Sequence, residues 1–187
     1  MLFFTSGMFF DNNRIANKRH FRSTLDMNQT IISNWNSVIT SSDEVYILGG
    51  VGEFGYLPSL NGKKMILMAP ADMRFYNTYI TGVTPVRDEE YDREMFEVYV
   101  NMNYNIERVS FSNRIICRLY SGRNVALTTD YSHGKDEDRF NVVGGIGDFQ
   151  RMFPNGINSE IYINGMYPLS ETDIESLIHK SKDRIIT

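Results

Sequence analysis

A chain of 187 residues, 22% charged and 13% aromatic, has the composition of an ordinary globular protein and room for one substantial core. Its net charge of -4, with no basic tail, removes any general electrostatic drive toward nucleic acid or an anionic membrane. No apolar run approaches the ~18 residues that span a bilayer, and the one cysteine, Cys117, makes no internal disulfide, so a single cytoplasmic domain over 1–187 is expected.

The opening Leu2-Phe-Phe-Thr5 lacks the basic flank of a signal peptide and reads as a first strand ending at Ser6-Gly7. Arg14, Lys18, Arg19, His20 and Arg22 then cluster in a polar stretch that reads as a solvated face. Ser23 or Thr24 caps a helix whose Leu25, Met27, Ile31, Ile32, Trp35 and Val38 form an apolar stripe, with Trp35 as its core anchor.

Val45-Tyr-Ile-Leu48 is a short β-prone run of the kind buried on both faces of a sheet, and Gly49-Gly50 turns the chain at its end. In an α/β sheet, sites gather at such carboxyl ends. A third strand, Lys64 to Met68, stops at Ala69-Pro70-Ala71-Asp72, because proline donates nothing to a ladder. From Met73 to Asn105 the periodicity is weak, although Arg87 to Glu94 reads as an exposed, helix-compatible charge run.

Strands follow at 108–111, 114–120 and 124–128, with Ser121-Gly122-Arg123 as a hairpin turn, and Cys117 reads as a small buried hydrophobe. Asp130 to Asp138 is a polar loop, and Phe140 to Val143 is a strand running into Gly144-Gly145-Ile146-Gly147. Asn158 to Ile163 alternates like a strand, and Ser170-Glu-Thr-Asp173 forms a capping box ahead of a surface helix over Ser170 to Lys182.

Taken in order, these pieces resemble the small single-domain branch of the calcineurin-like metallophosphoesterases, a family frequent in bacteriophage genomes. The resemblance is carried by Met27-Asn28, Ile32, Asn34-Trp-Asn36, Val38, Asp43, Val45-Tyr46, Leu48-Gly49, Asn61-Gly-Lys63, Asn158 and Asn164-Gly-Met-Tyr-Pro-Leu-Ser170. It implies an α/β fold of four layers, two mixed sheets packed together with helices outside.

The family builds its site from five motifs at strand ends, where two divalent cations about 4 Å apart activate water and clamp phosphoryl oxygens. Here those motifs have lost their ligands. Gly7-Met8-Phe9 stands where the resemblance expects Asp-x-His, Gly50 replaces the bridging aspartate, and Pro70 and Ala71 replace an amide and an imidazole, leaving only Asp72. Asp130 falls at the fourth motif's histidine, and Gly145 and Gly147 replace the two imidazoles of the fifth. No metal and no cofactor is therefore expected, since one carboxylate does not hold two cations. His20, His133 and His179 read as exposed residues.

These losses point to a pseudoenzyme that uses the scaffold to bind a macromolecule, a host or virion protein if the chain is phage-encoded. Phe9, Pro70, Ala71 and Ile146 would plug the old cleft or form an apolar contact patch. An alternative is capture of a nucleotide or other phosphorylated ligand in the vacated cleft, with glycine-turn amides as cradle and Asp72, Arg74, Arg123, Asp130 and His133 nearby. A third reading is a phosphoesterase site rebuilt from Asp11, Asp72, Asp130, His133 and Asp148.

Overall fold

The computed structural model describes residues 1–69, 72–73, 76–77, 89–129, 139–144, 152–153 and 156–183. Two five-stranded mixed sheets organise them. The first contains β1 (Leu2–Thr5), β2 (Glu44–Ile47), β3 (Lys63–Leu67) and β4 (Ile106–Ser110) in parallel, with β10 (Leu169–Ser170) antiparallel to β1. The second runs β5 (Arg114–Arg118), β6 (Asn124–Thr128), β7 (Phe140–Val143), β9 (Gly156–Asn158) and β8 (Met152–Phe153). In it β6, β7 and β9 are parallel, while β5 and β8 are antiparallel additions.

Alternation along β1 and β2 divides the core in two. Phe3, Val45 and Ile47 face α1 (Asn13–Lys18), α2 (Thr24–Val38) and α3 (Glu89–Tyr104), whose Ala16, Met27, Ile31, Trp35, Phe96 and Val100 complete one cluster. Leu2, Phe4 and Leu48 face the other way, onto Leu119, Val125, Leu127, Val142 and Ile157 of the second sheet and onto Ile174 and Ile178 of α4 (Glu171–Asp183). The described residues thus give the helix, sheet and sheet layers of an α/β arrangement.

Local chemistry explains where the helices begin. Ser23 accepts a hydrogen bond from the Asp26 amide at 3.1 Å, and Ser170 and Asp173 exchange bonds in the capping box ahead of α4. Trp35 is fully buried and donates its indole N–H to the Asn61 carbonyl at 2.9 Å, tying α2 to the approach to β3. Leu25 and Val38, placed on the buried stripe by periodicity, are instead exposed at the two ends of α2.

One further reading is corrected and one is extended. The stretch 158–163 is no continuous strand: β9 ends at Asn158 and the chain turns from Ile161 through Met166, where Gly165 and Met166 both take positive φ. And within the weakly patterned 73–105 segment lies a sixteen-residue helix, α3. Among the described residues no helix is long and apolar enough to cross a membrane.

Candidate functional site

The parallel strands of both sheets deliver their carboxyl ends to one place. Beyond β1 and β2 the chains stay paired through loops: Gly7 N donates to Gly49 O at 3.0 Å, Phe9 N to Gly50 O at 2.8 Å, and Phe10 N to Val51 O at 2.9 Å. Positive φ at Gly7, Phe9, Gly49, Gly50 and Gly52 makes this possible, and Phe9 holds it without glycine's freedom. The second sheet joins through Ser6, whose N–H bonds Ser159 O and whose C=O accepts from Ile161 N, both at 3.0 Å. Gly144, at the end of β7, lies so close to the Leu48 backbone that no side chain fits between them.

Glu160, two residues past β9, projects its carboxylate into the space directly beside Gly7, where any Cβ on Gly7 would collide with it. Arg19, one residue past α1, meets it there. One guanidinium nitrogen is ion-paired with Glu160 Oε1 and also donates to Gly7 O at 2.8 Å. The Phe9 ring centroid lies 5.7 Å and the Tyr162 centroid 5.3 Å from the guanidinium carbon, so aromatic rings flank the cation. Both side chains of the pair are only 1% exposed.

Asn164 fixes the loop that carries Glu160. Its side-chain amide donates to Asn158 O at 3.0 Å and Glu160 O at 2.9 Å, while the Asn158 side chain accepts from Glu160 N at 2.8 Å. These are among the residues on which the sequence resemblance rests, and here they hold an ion pair in place.

Asp72 is a second buried carboxylate at these strand ends. Its oxygens accept from Gly50 N at 2.9 Å, Val51 N at 2.8 Å and Ala69 N at 3.1 Å, binding the turn after β2 to the turn after β3. Burial raises its pKa above the ordinary carboxylate value, and the three amides pull the other way. This commitment matters for the anion-cradle reading: the Gly50 and Val51 amides already hold a carboxylate, and the Gly7 amide holds a carbonyl.

Of the positions singled out by sequence, Gly7, Phe9, Gly50 and Asp72 do come together; a Cβ on Gly50 would lie 2.8 Å from Gly7 Cα and 3.1 Å from the Phe9 ring. Pro70, Ala71, Arg74, Asp130, His133, Gly145, Ile146, Gly147 and Asp148 lie outside the described residues. Asp11 is on the loop beside the site but accepts from Asn28 Nδ2 at 2.7 Å and the Tyr56 hydroxyl at 3.0 Å. Arg123 belongs elsewhere, at the β5–β6 turn, paired with Glu175 at 3.0 Å. His20 and His179 are exposed. Among the described residues no three His, Cys, Asp or Glu side chains group as metal ligands.

The main residues that sequence reasoning missed are Arg19 and Glu160. Arg19 was expected in a solvated basic cluster, yet it is 4% exposed; the signal lay in its spacing, three residues after the buried Ala16 on one helical face. Cys117 is buried, and desolvation pushes its thiol up to about 11, as suits an inert core residue.

No family model and no curated protein matches the chain. Among solved structures it is similar to the crystal structure of the protein of unknown function AQ665 from Aquifex aeolicus, with a TM-score of 0.65 over 95% of this chain and 98% of that one, at 16% sequence identity. That likeness concerns the α/β fold of two mixed sheets and carries no activity with it.

Proposed function

We propose that this chain is a metallophosphoesterase-like protein of the four-layer type that works without metal and without hydrolysis, by binding a macromolecular partner, a host or virion protein if it is phage-encoded. The observation that supports this reading best is the Arg19–Glu160 pair. A two-metal centre needs carboxylates and imidazoles converging on cations. At the strand ends here an arginine supplies the positive charge and a glutamate fills the space beside Gly7, while the positions answering to the first two ligand motifs carry glycine and phenylalanine. Unmetallated clusters of like-charged ligands are costly when buried, so a fold that has given up its cations is expected to replace them with a self-neutralising pair.

The test is turnover of a generic phosphodiester with manganese, using protein purified without chelator. No hydrolysis above blank is expected from the native chain or from Gly7→Asp, whose new side chain would meet Glu160. Turnover that disappears in Asp130→Ala would establish the rebuilt phosphoesterase site instead.

A further inference from the structure

Helix α3 buries Phe96 and Val100 against the first sheet, which is sufficient to hold it there, but it is apolar on its far side as well. Met95, Val98 and Met102, spaced by three and four residues, form a stripe that is 40%, 50% and 80% exposed. Single exposed apolar residues need no explanation, whereas three in register along one helix make a seam of the kind that packs on another helix. Two of the three are methionines, flexible side chains suited to an adaptable contact.

Charge says which helix. The first nine residues of α3 carry Glu89, Glu90, Asp92, Glu94 and Glu97 against Arg93 alone, a net of -4, with Glu97 engaged by the Val109 N–H of β4. A second copy would bring two such helices together and be repelled. A helix with lysine or arginine beside its own apolar seam would be attracted and held in register.

We infer that the Met95–Val98–Met102 face of α3 is a docking surface for a basic amphipathic helix of a partner protein. This deepens the partner-binding reading and rests on it. The apolar seam supplies contact area, and Glu90, Asp92 and Glu94 toward its N-terminal end supply specificity and speed of association.

The probe is a fluorescent synthetic amphipathic helix with leucines at three- and four-residue spacing and lysines on either side, titrated with the full chain. Saturable binding is expected, weakening with salt, and at least about tenfold weaker for a peptide with glutamates in place of the lysines. Met102→Glu is expected to weaken it about tenfold although it adds an attractive charge, with an unchanged thermal melt showing that the fold is intact. Absence of saturable binding, equal affinity for the glutamate peptide, unchanged or tighter binding by Met102→Glu, or a dimer in sedimentation that Val98→Glu disrupts would each overturn the proposal. Failure here in a chain that shows no phosphodiester turnover removes only this surface; turnover together with intact peptide binding removes the pseudoenzyme reading and leaves the surface standing.

Discussion

Arg19 and Glu160 sit 141 positions apart in sequence and share one buried site. Pairs of this kind gain little over a well-packed apolar substitute, yet removing one partner strands the other's charge. Arg19→Met is therefore expected to cost about 3–5 kcal/mol in chemical denaturation, and Arg19→Met combined with Glu160→Gln to recover most of that loss. If the double variant is no more stable than the single, the two groups are not coupled. Lys64 presents another buried charge: fully enclosed, its ammonium donates to the Leu60 and Gly62 carbonyls at 2.8 and 3.0 Å, and desolvation lowers its pKa to about 8. Between that value and its ordinary 10.5 the unfolded chain holds the extra proton, so this group's contribution to stability rises as the solution is made alkaline. Native protein should accordingly gain on Lys64→Met by about 2–3 kcal/mol between neutral pH and pH 10.5, measured as the difference between the two unfolding curves. A constant or shrinking difference would show that the fold does not lower the Lys64 pKa.

At the scale of elements, both sheets have an edge that must be kept from pairing with other chains. α3 guards β4: Glu97 accepts from Val109 N at 3.2 Å, and Asn101 donates to Ile106 O at 2.9 Å. β5 is closed at its ends, where Ser112 bonds the Arg114 N–H and C=O and Glu171 accepts from Tyr120 N at 3.0 Å. Replacing both Glu97 and Asn101 by alanine should cost roughly 1 kcal/mol per lost bond and raise aggregation on heating, seen by light scattering; unchanged scattering would show that the edge needs no such guard. The elements were legible to different degrees. α2, the β5–β6 hairpin, β7 and the cap of α4 announced themselves because a serine cap, a glycine turn or a short β-prone run ending in glycines acts over a few residues. α3 was legible only in its opening, as a helix-compatible charge run, because the Phe96 and Val100 that seat it are few among charged and polar residues. The alternation from Asn158 to Ile163 looked like a strand because Glu160 and Tyr162 point toward Arg19, a tertiary demand that happens to share a strand's period of two.

On the scale of the whole molecule, the two sheets meet at their carboxyl ends through Ser6, Ser159, Leu48 and Gly144, and Arg19 and Glu160 lie where that junction closes. That Gly7, Phe9 and Gly50 carry no metal-binding side chain is visible letter by letter. The buried pair beside them was hidden, because one arginine among five basic residues carries no mark of being the buried one. Asp72 is a similar case: it stood out as a surviving former-site residue, and its three backbone partners give it the work of holding two turns together. The most direct measurement of the central claim is the metal content of protein purified without chelator and then equilibrated with manganese and dialysed. The account predicts far less than one ion per chain and no rise in melting temperature with added manganese, since a cation bound to the native state would stabilise it. Two ions retained per chain, with a melt that shifts on their removal, would contradict it.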